Sequence, residues 1–251
     1  MAPAVSFPLH AVSFTKGDHI CLFYRDWQDQ ISISAPFVEL GLRRQERCLC
    51  ILPEDRQLSL LEALKDSGVN PRMEIERGAL LLLSPEQTYL SDGTFDSARM
   101  VELWETIVKE SRSLGFECLR AMGDLSWAAP SSACCARLPE YEAVMDRFYP
   151  GKPALGLCLY DTRLFAADQL RELMKVHRFA LSSPDPSTRA IRIREGRVYG
   201  HITFDRRVPS AFHYTVQEDD SPEFLGTGQE SSLAVALAKV KNLLSQKRSG
   251  K

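Results

Sequence analysis

The sequence lacks the short motifs that define several large enzyme classes. It contains no G-x-S-x-G, H-E-x-x-H or G-x-G-x-x-G motif, so it gives no sign of a serine-hydrolase nucleophile, a zinc-protease helix or a dinucleotide-binding turn. It also contains no G-x-x-x-x-G-K-S/T phosphate loop. Its seven cysteines include no C-x-x-C pair, which excludes zinc ribbons and thioredoxin-like motifs. None of these cofactor-binding or metal-binding motifs is present, so the sequence predicts no cofactor.

Long apolar runs and an excess of charge of one sign are also missing. No run approaches the roughly 20 apolar residues of a membrane-spanning helix, and residues 1–8 carry neither the basic nor the apolar part of a signal peptide. We therefore expect a cytoplasmic protein without membrane contact. The formal net charge of −2 gives no overall electrostatic reason to bind nucleic acid. Most cysteines lie in apolar runs, where buried reduced thiols are expected.

Apolar segments alternate with segments of helical period through most of the chain. The strand candidates are apolar throughout, which is typical of parallel strands covered on both faces. They are residues 20–24, 48–52, 80–83, 118–122 and 155–160. Amphipathic helices are predicted at about 30–44, 58–64, 100–108, 138–148 and 170–177. This order predicts an α/β fold with a mostly parallel sheet and helices on both faces.

A different pattern follows residue 181. Residues 182–187 are rich in serine and proline and predict a linker. Residues 191–194 and 198–204 flank Glu195-Gly196 and predict a hairpin, with a third strand at 212–216 and a helix at about 229–246. The sequence thus predicts two units, residues 1–181 and a small α+β extension at 188–251. The extension is too short to bury much by itself, so we expect it to pack on the main domain or on another subunit.

The end of the last predicted helix is basic. Such charge is favourable at a helix C-terminus and is usually a solvated face, although a nucleic-acid or protein contact is the alternative. The residues concerned are Lys239, Lys241, Lys247, Arg248 and Lys251.

Residues 16–24, which read K-G-D-H-I-C-L-F-Y, stand where a nucleotide-binding α/β protein carries its phosphate loop. A histidine, a cysteine and a tyrosine replace the glycines and the lysine of that loop. The missing lysine and Ser/Thr would supply phosphate charge and Mg²⁺ ligation. The segment therefore predicts a phosphate-loop fold without phosphate chemistry.

The order of segments after this point resembles that of KaiC-type, RecA-like ATPases; the matching segments are 35–42, 48–52, 58–68 and 78–83. The chain more closely resembles the MEDS domain, the methanogen/methylotroph sensory domain of prokaryotic signalling proteins. That resemblance covers about residues 13–181 and rests on 17–24, 115–127, 141–142, 157–161 and His177. It implies a KaiC-like fold without its phosphate loop and a sensory module for small hydrocarbon-derived ligands.

His19 and Cys21 lie two residues apart, so on a strand their side chains share one face. They could contact a small organic ligand at the carboxyl edge of the sheet, where ligands of open α/β sheets bind. They could also supply half of the ligands of a soft or borderline metal ion. A hydrogen-bonded histidine beside a packed cysteine is the structural alternative. A nucleophilic pair such as Cys21 with His177 is a further one, since such pairs need only spatial proximity.

Other candidates lie at the ends of the predicted strands. Asp124 follows an apolar strand, as a Mg²⁺-binding aspartate would; without a phosphate loop, we expect it to bond a ligand or Ser126, or to cap the next loop. Trp127 predicts either an aromatic wall for an apolar ligand or simple packing. Tyr24 ends the first predicted strand and is a further candidate for contact with the ligand.

The last candidates come from the second half of the predicted core. Helical period makes Tyr141 a core residue and Glu142 a solvent residue if neither binds a ligand. His177 falls on an apolar helix stripe, where a hydrogen-bonded core histidine is the alternative to a ligand contact. The fifth strand contributes Cys158 and Tyr160 on one face and Asp161 on the other.

These observations favour a non-enzymatic sensory protein that binds a small molecule and passes a conformational change to a regulatory protein partner. Two other classes stay open. One is a KaiC-like ATPase with an atypical loop, which ATP turnover would reveal. The other is an oligomeric interaction protein without a pocket, which would bind no small molecule; homo-oligomers are compatible with each class.

Overall fold

The computed structural model describes residues 14–129, 132–185, 188–205, 211–219, 221 and 224–248. The strands are β1 (His19–Tyr24), β2 (Arg47–Ile51), β3 (Leu80–Leu83), β4 (Leu119–Asp124), β5 (Ala154–Asp161), β6 (Phe179–Asp185), β7 (Thr188–Glu195), β8 (Val198–Asp205), β9 (Phe212–Glu218) and β10 (Phe224–Glu230). The helices are α1 (Trp27–Arg43), α2 (Glu54–Asp66), α3 (Pro71–Glu76), α4 (Ser97–Ser113), α5 (Ser132–Phe148), α6 (Ala167–Val176) and α7 (Leu233–Arg248). A short 3-10 helix, Ser126–Ala128, follows β4.

The described strands form one sheet in the order β10-β9-β8-β7-β6-β1-β5-β4-β2-β3. The pairings from β6 to β3 are parallel. The pairings from β6 to β10 are antiparallel and extend the same sheet. The parallel part contains all five strands that continuous apolar segments predicted. The predicted α/β fold, mostly parallel with helices on both faces, is confirmed.

Two helical layers cover the sheet. We call one side the α1 face; α1 packs there on β1, and α7 packs on β8, β9 and β10, in one core that includes Ile20 and Leu22 of β1. The other side is the α5 face, where α4, α5 and α6 pack against residues such as Cys21 and Phe23. Alternate residues of each strand therefore enter two separate cores. No helix among these described segments is both long and apolar enough to cross a membrane.

The C-terminal region differs from the prediction in two places. Residues 182–185 are not linker but part of β6, which pairs with β1 on one side and β7 on the other. This place in the sheet overrides the local Ser/Pro composition. The predicted helix at 229 begins instead at Leu233, because β10 continues to Glu230. The extension packs on the main domain through β6 and β7, and the division into two units stays a prediction.

Two arginines are buried on the α1 face with an acidic partner each. Arg120 of β4 donates to Glu46 at 2.6 Å and lies over the Phe37 ring. Arg189 of β7 pairs with Asp29 of α1, and both side chains are almost completely buried. A buried guanidinium needs such a partner because an uncompensated charge in the core is costly. These pairs fix α1 and its neighbouring loop against the sheet.

Candidate functional site

The predicted site residues separate into two groups on opposite faces of the sheet. Strand alternation directs His19 and Cys21 to the α5 face and Tyr24 to the α1 face. The group on the α5 face comprises His19, Cys21, Tyr141, Glu142, Cys158, Tyr160 and His177. The group at the carboxyl edge of the sheet comprises Tyr24, Asp124 and Asp161.

At the carboxyl edge, Asp124 accepts hydrogen bonds from other residues of the protein. The Tyr24 hydroxyl donates to Asp124 Oδ2 at 3.1 Å, and the backbone N–H of Ser126 donates to Oδ1 at 2.8 Å. Burial raises the pKa of the Asp124 carboxyl. Asp161 in turn binds the backbone and the guanidinium of Arg163. These bonds are the loop-capping roles that the sequence left as alternatives to ligand contact.

The N-terminus of α1, where a phosphate would bind in a phosphate-loop protein, is occupied by carboxylates. Asp26 caps α1 and accepts the backbone N–H of Asp29 at 2.8 Å. Asp29 accepts the backbone N–H of Arg25 and pairs with Arg189. Helix N-termini attract anions through free N–H groups and the helix dipole. Two internal carboxylates already use that attraction here, which disfavours a nucleotide phosphate.

On the α5 face, four ionisable side chains form what we call the His–Glu–Cys cluster: His19, Glu142, Cys158 and His177. Glu142 Oε2 lies 3.1 Å from His19 Nε2, 3.4 Å from His177 Nε2 and 3.6 Å from Cys158 Sγ. His19 Nε2 and Cys158 Sγ are 3.4 Å apart. Both histidines and Glu142 are buried, and Cys158 is partly buried. One atom of each residue lies within 4.8 Å of the others, so the cluster could hold a metal ion.

Further side chains orient the cluster. The Tyr160 hydroxyl donates to Glu142 Oε1, on the carboxylate oxygen away from the histidines. His177 Nδ1 donates to the Leu173 carbonyl oxygen at 2.7 Å, and His19 Nδ1 faces the Asp146 carboxylate at 3.6 Å. The solvent position that helical period allowed for Glu142 is therefore wrong, because its carboxylate is buried among histidines. His177 lies just beyond the last residue of α6 in an extended conformation, not on the helix stripe.

The electrostatics of the metal-free cluster favour a carboxylate between imidazoles. Burial alone would raise the pKa of Glu142, but bonds and charge from His177 and His19 hold that pKa below its usual range. Burial alone would lower the pKa of His177, but Cys21 and Glu142 raise that pKa to about 9. Burial and the Glu142 carboxylate raise the pKa of Cys158. The cluster therefore offers a thiol rather than a thiolate when no cation is bound.

Cys158, and not Cys21, is the cysteine in the cluster. The Cys21 thiol donates to the Phe179 carbonyl oxygen at 3.6 Å, between β1 and β6. His19 is also the first residue of β1, so the cluster lies under α5 and not at the carboxyl edge where the sequence argument placed it. The difference arises because α5 and α6 cover this face and bring their own polar groups to it. A metal site of His19 and Cys21, and a Cys21–His177 nucleophile, stay predictions.

A cavity of about 10 Å³ lies beside the cluster, which is about the room that one water molecule needs. Two glycines shape it: a Cβ on Gly123 or Gly156 would collide with the hydroxyl of Tyr89 or Tyr149, respectively. The side chains and backbone that line it belong to His19, Tyr89, Trp104, Ala121, Gly123, Tyr141, Met145, Tyr149, Leu157 and Cys158. The cavity is therefore mostly aromatic and ends on an imidazole and a thiol.

Trp127 lies one layer behind this cavity. Its ring stacks on Tyr89, with centroids 5.2 Å apart, and contacts Phe95 at the same distance. Tyr141 lines the cavity and accepts a hydrogen bond from Trp104 Nε1 at 2.9 Å. The aromatic side chains that line the cavity are thus Tyr141 and residues that the sequence argument did not name, and the ligand wall at Trp127 stays a prediction.

Sequence reasoning missed Asp146, Tyr149 and Tyr89. Asp146 could have been found, because it lies four residues after Glu142 and so on the same side of α5. Tyr149 follows the last residue of that helix and stacks on His19, with centroids 5.2 Å apart. Tyr89 lies in the loop between β3 and α4, where no periodic pattern marks it.

Comparison with solved structures finds the same fold in a distant relative. The chain is similar to a KaiC-like protein of the hyperthermophilic archaeon Pyrococcus horikoshii OT3, with a TM-score of 0.50 and 10% sequence identity. The similarity covers 80% of this chain and 93% of the other. At this identity it shows the fold alone, and that fold is the RecA/KaiC-like one that the sequence predicted.

Comparison with curated proteins finds a regulator. Over 161 residues the chain is 23% identical to the transcriptional repressor DcmR of Methylorubrum extorquens (strain DSM 6343 / CIP 106787 / DM4). The match covers 64% of this chain and 58% of the repressor, so the chain spans less than two thirds of that relative. A sensory or regulatory role is the coarse function that this likeness supports.

The family model of the methanogen/methylotroph, DcmR sensory domain matches residues 18–178. The matched segment begins one residue before His19 and ends one residue after His177, so it contains the whole His–Glu–Cys cluster. It covers more than half of the chain and agrees with the resemblance found in the sequence. The chain belongs to the MEDS family of sensory domains.

Proposed function

We propose that this protein is a cytoplasmic sensor that binds a small organic molecule in the cavity beside the His–Glu–Cys cluster and relays its presence to a regulatory partner. The observation that carries the proposal is the cavity itself. Its walls are aromatic and its end is polar, which is the usual composition of a small-molecule site. Because the cavity has room for about one water molecule, the side chains around it must move apart to admit even a small organic molecule.

The position of the cavity supports a relay through α5. Tyr141 and Met145 line the cavity from α5, and Glu142 of the same helix joins the cluster. A ligand can shift a conformational equilibrium only through different affinities for the two conformations. A molecule that binds between α5 and the sheet contacts the helix directly. Its affinity can therefore differ between two positions of α5. The partner that reads α5 is a regulatory protein, in keeping with the repressor among the relatives.

The test compares two variants in each of which one alanine is replaced by valine. Ala121 and Ala180 are both strand residues on the α5 face and both 3% exposed, but only Ala121 lines the cavity. We expect short primary alcohols, from methanol to butanol, to raise the melting temperature of the wild type in a saturable manner. Ala121→Val fills the cavity and should abolish this rise, whereas Ala180→Val should retain it.

Two outcomes would contradict the proposal. One is that no alcohol of the series produces a saturable shift in the wild-type protein. The other is an equal shift in both variants, which would place the binding elsewhere. Each valine can itself cost about 1–3 kcal/mol through overpacking, so the shift is measured against each variant's own baseline.

A further inference from the structure

We propose that the His–Glu–Cys cluster is a binding site for a divalent metal ion of the zinc class. It presents two imidazole nitrogens, a carboxylate oxygen and a sulfur, which are the ligand types that zinc uses in proteins. This inference does not depend on the organic ligand of the proposed function. An ion can bind here whether or not the cavity is ever occupied.

The distances fit a tetrahedral ion. Four ligands at zinc bond lengths of about 2.0–2.3 Å lie about 3.3–3.8 Å from one another in a tetrahedron. The measured separations among Glu142 Oε2, His19 Nε2, His177 Nε2 and Cys158 Sγ include 3.1, 3.4, 3.4 and 3.6 Å. The remaining pairs are within 4.8 Å. Small side-chain adjustments would place all four atoms around one centre.

The orientation of His177 points to a ligand as well. Its Nδ1 donates to the Leu173 carbonyl oxygen, so the lone pair of the neutral ring is on Nε2. That Nε2 faces the cluster, its contact with Glu142 Oε2 is a long 3.4 Å, and only 1% of His177 is exposed. Metal-binding histidines usually hold their other ring nitrogen on a carbonyl or carboxylate in this way. In the neutral ring, this buried nitrogen would gain a bond from an ion.

The other two orienting contacts have the same character. The Asp146 carboxylate faces Nδ1 of His19, which leaves Nε2 directed at Cys158 and Glu142. Tyr160 donates to Oε1 of Glu142, which leaves Oε2 as the oxygen that faces the histidines. Three of the four ligands, His19, Glu142 and His177, thus each contact a neighbour outside the cluster.

The mixture of sulfur, nitrogen and oxygen selects the class of ion. Magnesium and calcium prefer sites built from oxygen, whereas zinc and cobalt accept imidazole and thiolate together. Without an ion, the same geometry is a carboxylate paired with protonated histidines beside a neutral thiol. The experiment must therefore distinguish a bound cation from bound protons.

The probe is Co²⁺ followed by Zn²⁺, added to the full chain that has been stripped with a chelator, in buffer without organic additives. A cobalt–thiolate bond gives a near-ultraviolet charge-transfer band that a neutral thiol cannot give. We expect the band to saturate at one equivalent of cobalt per chain and to disappear when zinc displaces cobalt. Zinc should also raise the melting temperature, because it binds the folded state.

Two serine variants assign the sulfur ligand. Cys158→Ser should lose the cobalt band. Cys50→Ser should keep it, because Cys50 is a buried strand cysteine in the core of the α1 face, on the other side of the sheet. Zinc K-edge absorption of the wild type gives the same assignment without any variant and should show a single sulfur with nitrogen and oxygen ligands.

The proposal is overturned if the stripped wild type shows neither the band nor a zinc-dependent melting shift, since the cluster then holds protons only. It is also overturned if Cys158→Ser keeps the band, if Cys50→Ser loses it, or if the zinc shell contains no sulfur. None of these results bears on the alcohol series, which is measured through Ala121 and Ala180. The two proposals can therefore fail separately.

Discussion

The two faces of the sheet bury charge in different ways. On the α1 face each buried guanidinium has a carboxylate partner, as in Arg189 with Asp29 and Arg120 with Glu46. The α5 face also buries Arg47 beside Glu110 of α4, but there a further carboxylate is shared by two histidines and lies beside a thiol. Arginine keeps its charge at every accessible pH, whereas imidazole and thiol can each exchange a proton for another cation. The first arrangement is therefore fixed, and the second can change its state.

This contrast indicates which face is structural and which is functional. Removing one partner of a buried ion pair leaves an uncompensated charge in the core and lowers the free energy of unfolding. A cluster that can exchange protons for an ion changes its own charge while the backbone around it stays folded. We therefore expect substitutions in the buried arginine pairs of the α1 face to act on folding, and substitutions of the four cluster ligands on the α5 face to act on binding.

The largest expected effect is on the α1 face. Asp29→Ala leaves the Arg189 guanidinium buried without that carboxylate, and should lower the free energy of unfolding by about 3–5 kcal/mol. Denaturant unfolding monitored by circular dichroism measures this. Glu39→Ala is the control, because the Glu39–Arg43 pair on the same helix is partly exposed and should cost at most about 1 kcal/mol. Equal losses in the two variants would contradict the structural role of the buried pair.

A smaller effect is expected on the α5 face. Tyr160→Phe removes the donor to Glu142 Oε1 and should cost about 1.5–3 kcal/mol, because the lost bond is to a charged acceptor. Tyr199→Phe removes a bond to the neutral Gln217 side chain and should cost only about 0.5–1.5 kcal/mol. Both values come from the same denaturant titrations. A Tyr160→Phe protein as stable as the wild type would show that Glu142 is not held as described.

No effect is expected from nucleotide. The carboxylates of Asp26 and Asp29 stand at the N-terminus of α1, and residues 16–24 carry no phosphate-loop lysine after the first position. Calorimetry with Mg-ATP at millimolar concentration should therefore give no heat of specific binding. A micromolar dissociation constant, or ATP turnover, would support the alternative of a KaiC-like ATPase. It would also contradict the assignment of the α1 face to a purely structural role.

The sequence predicted the parallel core because its strands are apolar without interruption, as at residues 48–52 and 155–160. It did not predict β6, since Ser182-Ser183-Pro184 has the local composition of a loop and only pairing with β1 and β7 makes it a strand. Most residues of the cluster were among the candidates. Their proximity in space could not be predicted, because the contact of Glu142 with His19 depends on how α5 packs across the sheet.

The place of β1 in the strand order has a consequence for synthesis of the chain. β1 is made well before its neighbours β5 and β6, which begin at Ala154 and Phe179. Its six residues, which are all buried in the finished protein, therefore have neither partner strand while residues 25–153 are translated. Such late pairing is slow and leaves an aggregation-prone segment exposed. Expression yield should thus respond to translation temperature and to chaperone supply more than the stability of the finished fold would indicate.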